Sequence, residues 1–328
     1  MSAESLSTLR TLIIAFSLIA LAASLVEGLA LTVMRRAYDW RDALASLGVA
    51  VVRRFVDVLP LAIAMPGGLW LYEHRLVSPP LDAWWSWVLL GLGLEFCYYW
   101  YHRTAHRVRW FWASHAVHHS PNAFNLSAAY RLGWTSRIGG SLLFFLPLCA
   151  LGFPPRAIAA AYALNLLYQF WIHAEWIPKL GPLEGWLNTP SAHRVHHAAD
   201  LEYLDANYGG VLLVFDRLFG TYVAERDDLK PRYGWVEPLR SYNPLRIAFH
   251  QWVTLVRDLR RARSAREVAG YLFGPPGWSP DGPGSTTEAL RARAGLDARG
   301  RPRASAPGEG VRAGSVVARA GSAPTAGT

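Results

Sequence analysis

The chain has 328 residues, of which 52% are apolar, and it contains 15 Trp, 14 Tyr and 13 Phe. Trp and Tyr collect at membrane–water interfaces because each has an apolar ring and a polar tip. The net charge is +9 with neutral histidines, and residues 251–328 carry +6 of it. A basic balance concentrated in one terminal segment favours contact with anionic lipid over nucleic-acid binding. Only two cysteines are present, Cys97 and Cys149, which excludes a disulfide framework and a CxxC zinc site.

Three apolar runs predict membrane-spanning helices, because about 20 mostly apolar residues cross a bilayer. They are residues 9–34, 55–73 and 84–101. Arginines follow the first run and precede the second, at Arg35, Arg36, Arg41, Arg53 and Arg54. Since excess Lys and Arg mark the cytoplasmic side, we expect the third run to end in the cytoplasm, directly at His102.

Two shorter apolar runs, residues 138–153 and 157–172, predict a helical hairpin because Pro154-Pro155 joins them. Both ends of this hairpin are then cytoplasmic. From about residue 280 the chain turns to Gly, Ala, Pro, Ser and Arg, a composition that predicts disorder.

Histidine is the feature of this sequence that carries chemistry. Eight of the eleven histidines fall in three clusters: His102/His106, His115/His118/His119 and His193/His196/His197. Residues three and four apart share one face of a helix, so each cluster should turn its imidazoles the same way. Imidazoles packed together without metal in a partly dry region would leave polar groups unpaired, at considerable cost. One tetrahedral zinc uses four ligands, so eight imidazoles predict two metal ions, and Zn, Cu, Fe and Ni all suit imidazole.

The order HxxxH, HxxHH and a second HxxHH after an apolar hairpin resembles the fatty acid hydroxylase/sterol desaturase superfamily. The resemblance covers roughly residues 85–235 and is closest to the alkylglycerol monooxygenase branch. It extends beyond the histidines to segments 95–103 (EFCYYWYHR), 112–120 (WASHAVHHS), 187–197 (LNTPSAHRVHH) and 215–221 (FDRLFGT).

This resemblance implies a membrane-bound non-haem di-iron oxygenase that uses O2 to attack an aliphatic C–H bond of a lipid. Hydroxylation, with ether-lipid cleavage as one form of it, is the implied reaction. By position the resemblance adds His173 as a ninth metal ligand. Alkylglycerol monooxygenases carry a Glu directly after the second His of HxxxH, linked to tetrahydrobiopterin use. Arg107 stands there in this chain, which argues against a reduced pterin and leaves an electron-donor protein as the alternative.

Three residues are candidates for orienting the ligands, because a metal-bound histidine usually donates its second N–H to a carboxylate or carbonyl. Glu95 lies two helical turns before His102, and Asp205 and Asn207 follow the third cluster. The aromatic residues near the first two clusters are expected to form an interface belt instead: Tyr98, Tyr99, Trp100, Tyr101, Trp110 and Trp112.

Two alternatives to a lipid hydroxylase stay open. One is a sterol or fatty-acyl desaturase or hydroxylase. The other is a membrane metal transporter or sensor, although a transporter would place ligands within the spans, whereas these clusters follow the ends of apolar runs. The sequence leaves the lipid, the electron donor and the oligomeric state open.

The predicted fold is an all-α integral membrane protein with four to five transmembrane or hairpin helices and a cytosolic, histidine-lined di-metal cap. Its predicted segments are N-terminal transmembrane helices (1–80), a fatty acid hydroxylase-like catalytic domain (81–250) and a basic, largely disordered tail (251–328).

Overall fold

A computed structural model describes residues 3–303, apart from the side chains of residues 3–10, 12–13 and 58–63. In this part of the chain every regular element is a helix, which confirms the all-α prediction, and β-structure is limited to isolated bridges. The α-helices are α1 (Ala3–Val33), α2 (Trp40–Val56), α3 (Val58–Glu73), α4 (Trp84–Arg107), α5 (Arg109–His115), α6 (Leu146–Ala150), α7 (Pro155–Trp171), α8 (Pro190–His196), α9 (Val214–Phe219), α10 (Pro244–Leu259), α11 (Ala265–Phe273) and α12 (Thr287–Arg293). Short 3-10 helices lie at Leu126–Tyr130, Ser141–Phe145 and Gly181–Leu183.

Within the described residues, α1 is the one helix long and apolar enough to cross a membrane, over Ile14–Val33. The apolar side chains of this stretch are mostly exposed, whereas its one carboxylate, Glu27, faces the body of the protein. Glu27 accepts hydrogen bonds from the backbone N–H of Leu126 at 2.8 Å and the indole N–H of Trp176 at 2.9 Å. Glu27 therefore anchors α1 to the loops around the histidines.

The other predicted spans are helical but shorter or more polar than α1. Helix α3 has 16 residues, and the first arm of the predicted hairpin is a 3-10 turn followed by the five-residue α6. Helix α4 has 24 residues and continues past the predicted third span to carry His102 and His106. Pro155 begins α7, at a position where its missing N–H costs nothing.

A helix that the sequence analysis did not predict, α2, lies between the first two apolar runs. Asp39 caps it by accepting hydrogen bonds from the N–H groups of Arg41 and Asp42 at 3.0 and 3.1 Å. On the buried side of α2, the Asp42 carboxylate accepts a 2.7 Å hydrogen bond from Arg131. This ion pair fixes the end of the 126–130 turn, close to the second histidine cluster.

The prediction of a largely disordered tail is wrong for residues 251–303, which are folded. Helix α10 buries Ile247, Ala248 and Leu255 and packs against α5 and α2. Further on, the Arg291 guanidinium donates to the carbonyls of Leu201, Leu204 and Ala298 at 2.7 Å each. Composition missed this because Gly, Ala, Pro, Ser and Arg dominate the end of the segment, where polar anchors such as Arg291 hold it in place. Residues 304–328 lie outside the described residues, so disorder there and the segment boundaries stay predictions.

Candidate metal centre

All nine histidines singled out by the sequence come together in the interior, in two adjacent groups. The five-histidine group contains His102, His106, His115, His119 and His196. The four-histidine group contains His118, His173, His193 and His197. Within each group the candidate ligand nitrogens lie within 4.8 Å of one another. The groups touch, since the rings of His119 and His197 stack with centroids 4.4 Å apart.

The two HxxHH clusters are interleaved between the groups, which differs from the prediction that each cluster faces one way. In the second cluster, His115 and His119 join the five-histidine group while His118 joins the other. In the third cluster the assignment is reversed: His193 and His197 join the four-histidine group and His196 the five-histidine group. Each cluster thus gives its i, i+4 pair to one group and its remaining histidine to the other.

Local backbone structure explains this arrangement. Helix α5 ends at His115, so the rest of the second cluster lies in a turn rather than on a helical face. Helix α8 holds the third cluster and is short but well capped, because the Thr189 hydroxyl accepts a hydrogen bond from the Ala192 N–H at 3.2 Å. Both clusters therefore sit at a helix end, where neighbouring side chains can diverge.

Backbone carbonyls orient two histidines of each group through their Nδ1 atoms. In the five-histidine group, His102 donates to Tyr208 O at 2.8 Å and His196 donates to Ala206 O at 2.9 Å. In the four-histidine group, His118 donates to the carbonyl of Arg131 at 3.2 Å, and His173 donates to the carbonyl of Gln169 at 2.7 Å. Because a carbonyl can only accept, each Nδ1 carries the proton and each Nε2 presents a lone pair.

These lone pairs are the observation that fits a bound cation. The Nε2 atoms of His106 and His196 are buried and have no hydrogen-bond partner within the described residues. The Nε2 atoms of His102 and His115 lie only 2.9 Å apart, and those of His173 and His193 only 3.1 Å. Buried acceptors without partners are costly, and a metal ion in each group would satisfy them together. A donor set of imidazoles suits iron, zinc and copper alike.

Burial keeps most of these imidazoles neutral. Removal from water, with smaller effects from neighbouring imidazoles, holds the pKa of seven of them well below the ordinary value: His102, His115, His118, His119, His193, His196 and His197. Burial lowers the pKa of His173 to about 4. Neutral imidazole is the form that binds metal ions, so the groups are in the ligating state at neutral pH.

Of the three predicted orienting residues, Asp205 is the one that faces a histidine. Its Oδ1 lies 3.6 Å from Nδ1 of His106, and its Oδ2 accepts a 2.6 Å hydrogen bond from Arg107. Burial would raise the pKa of Asp205, but interaction with His106 and the charge of Arg107 together lower it to about 2. Asp205 is therefore a carboxylate at neutral pH, and Arg107, which also pairs with Glu288 of α12, holds it in place.

The other two orienting candidates contact no histidine ring. Glu95 accepts hydrogen bonds from the backbone N–H groups of Val211 and Leu212, both at 2.9 Å. Asn207 bonds to backbone groups of Ala192 and Val223. Both residues therefore act on the 206–212 loop, whose carbonyls orient His102 and His196, and not on the ligands directly. Asp200, which also follows the third cluster, pairs with Arg232.

Replacing Asp205 with Ala should weaken metal binding by the five-histidine group by about 10–100-fold, the usual effect of losing a ligand's outer partner. The measurement is a chelator titration of the purified, metal-loaded chain. Asp200→Ala is the matched control, because Asp200 lies in the same loop region and has no histidine contact. An equal loss in both variants would contradict the role of Asp205.

An apolar cavity of about 560 Å³ reaches both histidine groups from the side of α1. His115 of one group and His118 and His173 of the other lie at its inner end. Its walls come from α1, α2, α4 and α7. Tyr98 and Tyr101, which were expected in an interface belt, line this cavity and are buried. The four consecutive aromatic residues 98–101 gave no sequence signal to separate those that line the cavity from those that do not.

A second cavity, of about 860 Å³ and more polar, reaches the five-histidine group from another direction. His106, His119 and His196 lie at its inner end beside Arg107 and Asp205. Much of its wall comes from residues 250–290, the segment whose fold the sequence analysis did not anticipate. The candidate centre is thus accessible from an apolar and from a polar side.

Comparisons with known proteins agree with this geometry. Residues 87–221 match the sequence model of the family described as fatty acid hydroxylase. The alkylglycerol monooxygenase of Homo sapiens is 40% identical over 243 residues, which cover 74% of this chain and 54% of that protein. The alkylglycerol monooxygenase of Caenorhabditis elegans is 33% identical over 64% of this chain and 43% of its own length.

A more distant relative is the ornithine lipid hydroxylase of Rhizobium tropici, 30% identical over 53% of each chain. This chain spans about half the length of the alkylglycerol monooxygenases of Homo sapiens, Xenopus tropicalis and Danio rerio. No solved structure matches it significantly. The resemblance drawn from the histidine motifs is confirmed: residues 87–221 belong to the fatty acid hydroxylase family, in a chain similar to alkylglycerol monooxygenases.

Proposed function

We propose that this chain is a membrane-bound non-haem di-iron oxygenase that hydroxylates an aliphatic carbon of a lipid. The observation that carries the proposal is the meeting of the apolar cavity with both histidine groups at His115, His118 and His173. A cavity lined largely by aliphatic and aromatic side chains suits an alkyl or acyl chain. Two adjacent imidazole sites at its end are where such a chain would be oxidised.

The protein residues have defined tasks in this reaction. The nine histidines would hold two iron ions, which supply the redox chemistry that activates O2. Asp205 and the carbonyls of Tyr208, Ala206, Arg131 and Gln169 keep the Nδ1 protons away from the metal side. The overall change is R–H + O2 + two electrons + two protons giving R–OH + H2O. On an ether lipid, hydroxylation beside the ether oxygen would give a hemiacetal that breaks down to an aldehyde.

An external donor must supply the two electrons. Relatives named alkylglycerol monooxygenase are similar over 74% of this chain, yet Arg107 occupies the position where that branch is expected to carry an acid. Arg107 is engaged by Asp205 and Glu288. We therefore favour an electron-donor protein over a reduced pterin, and the polar cavity beside the five-histidine group is the side from which reduction would come.

The proposed topology is multi-pass with the histidines on the cytoplasmic side. The exposed apolar length of α1 supports one span, and the arginines that follow it support a cytoplasmic end there. The hairpin of α6 and α7 and the apolar first half of α4 would enter the bilayer beside α1.

A sterol or fatty-acyl desaturase or hydroxylase is the second candidate, because the same cavity and the same two groups would serve it. A metal transporter or sensor has less support, since all nine imidazoles are gathered in two interior groups and the candidate span Ile14–Val33 contains no histidine.

The experiment is mass spectrometry of a total lipid extract incubated with the iron-loaded chain, a reductant and isotopically heavy O2. The proposal predicts that one lipid class gains a single heavy oxygen atom, or loses its ether chain as an aldehyde. A new double bond without heavy oxygen would favour the desaturase. An unchanged lipid profile with fully reduced, metal-loaded protein would contradict both the hydroxylase and the desaturase hypotheses.

Narrowing the apolar cavity should reduce turnover of long-chain lipids without removing metal. Leu47 of α2 lines this cavity, whereas Leu44 on the same helix does not. We expect Leu47→Trp to lower kcat/KM for the lipid roughly tenfold, the scale of one misfit group in an apolar pocket. Leu44→Trp is the matched control and should behave like the wild type. Equal activity of both variants would show that the substrate does not pass Leu47.

A further inference from the structure

Helices α2 and α10 expose large apolar side chains in stripes that no described part of the chain covers. The stripe on α2 consists of Leu44, Leu47, Val51 and Phe55, and the stripe on α10 consists of Leu245, Phe249, Val253 and Val256. In each helix the spacing of three or four residues places the stripe on one face. Phe55 and Leu44 are 77% and 65% exposed, values unusual for a protein face in water.

The two stripes are continuous. Gly48 of α2 lies against the ring of Pro244 at the start of α10, where a Cβ atom on Gly48 would come within 3.2 Å of the ring. Gly48 shares its helix face with Leu44 and Val52, four residues to either side. The first turn of α10 therefore meets the exposed face of α2. We call the combined stripes the α2–α10 surface.

The exposed charges of the α2–α10 surface all have the same sign. The exposed charged side chains of the two helices and of the residue that ends α10 are all arginines: Arg41, Arg54, Arg246, Arg257 and Arg260. Within the described residues none of them is in an ion pair, whereas the acids of these helices, Asp42 and Asp258, are paired with Arg131 and Arg109. A second copy of the chain docked here by two-fold symmetry would bring two such sets of arginines together, which is unfavourable.

We propose that the α2–α10 surface lies flat in the membrane interface, with its apolar stripes among the acyl chains and its arginines on anionic lipid headgroups. Helices that lie in the membrane interface typically have an apolar face bordered by basic residues. The position in the chain agrees, because α1 ends at Val33 and α2 begins at Trp40, so α2 starts where the candidate span leaves the bilayer.

This placement also assigns the entrance of the apolar cavity, a consequence that rests on the proposed function. Leu47 and Val51 belong both to the α2–α10 surface and to the cavity wall, and Leu18 and Leu21 of α1 form the facing wall. The cavity would open between α1 and α2, beside the α2–α10 surface. A lipid could then enter sideways with its headgroup still beside Arg54.

The test uses the full chain in lipid nanodiscs with nitroxide labels on single introduced cysteines. Phe55→Cys and Val253→Cys report on the surface, and Asp227→Cys is the water-exposed control because its side chain is 95% exposed. The native Cys97 and Cys149 are buried, so the unsubstituted chain measures background labelling. For each label we compare the collision rate of the nitroxide with O2, which is apolar, and with a water-soluble nickel chelate. Both rates are measured in nanodiscs of phosphatidylcholine alone and in nanodiscs that also contain phosphatidylglycerol.

The proposal predicts that O2 collision exceeds nickel collision at positions 55 and 253 and that the order reverses at position 227. Phosphatidylglycerol should lower nickel collision at position 253 at least about twofold, through attraction of the arginines. This lipid effect should disappear when Arg246→Gln, Arg257→Gln and Arg260→Gln are combined. Dominant nickel collision at 55 and 253 would overturn the proposal, as would dipolar broadening between equal labels, which would identify a second copy as the occupant. Neither result depends on catalytic activity, so the proposed function is tested separately.

Discussion

A His193→Ala chain should retain one metal ion where the wild type binds two. The four-histidine group has no ligand to spare, because losing His193 leaves only His118, His173 and His197. Its Nε2 atom lies 3.1 Å from that of His173 and 3.2 Å from that of His197, at the centre of the group. The measurement is metal content per chain after dialysis against a weak chelator.

The matched variant is His119→Ala in the five-histidine group. Four imidazoles remain there, enough for a full tetrahedral set, so this chain should still bind two ions with lower affinity at one site. His250→Ala is the control outside both groups and should leave metal content unchanged. Loss of both ions from His119→Ala together with none from His193→Ala would contradict the assignment of ligands to groups.

Removing the Asp42 carboxylate should be among the most destabilising single substitutions in the chain. Asp42 and Arg131 are 6% and 1% exposed, so Asp42→Ala would leave the arginine charged, buried and without its counter-ion. Breaking a buried pair in this way costs about 3–5 kcal/mol of unfolding free energy. The Arg131 carbonyl accepts the Nδ1 proton of His118, so the four-histidine group should also lose affinity for metal.

Thermal unfolding of the purified chain in detergent, followed by tryptophan fluorescence, measures the first effect. The pair of Lys179 and Asp227 supplies the control, because the two side chains are 41% and 95% exposed and water screens them. Asp227→Ala should leave Tm unchanged. A Tm for Asp42→Ala equal to that of the control would show that the Asp42–Arg131 pair does not hold the fold.

The sequence was sufficient to pick out the nine histidines, because their spacing and the wider motifs are local properties of the chain. It could not predict that each HxxHH cluster is divided between two groups. That division depends on where α5 ends, at His115, and on which rings of the third cluster lie against the second, such as His196 beside His119 and His197 beside His118. The ligand role of all nine stays a prediction, which their geometry supports.

The parts that the sequence missed share a physical cause. The carbonyls of Tyr208, Ala206 and Arg131 orient histidines, yet a backbone oxygen leaves no residue-type signal. Glu95 was expected to bond an imidazole, but it bonds the 211–212 backbone, since helical spacing alone cannot say which loop packs opposite. The helices α2 and α10–α12 were not predicted, because part of what holds them is polar, as at Asp42 and Arg291, and such anchors add nothing to an apolar pattern.

Both histidine groups are proposed to be metal sites, and the metal content of the purified full-length chain tests this most directly. Inductively coupled plasma mass spectrometry on protein of known concentration gives the number and identity of the ions. We predict two irons per chain, one for each histidine group. A chain that refolds and retains its helices but binds a single zinc or copper ion, or no metal, would contradict the central claim.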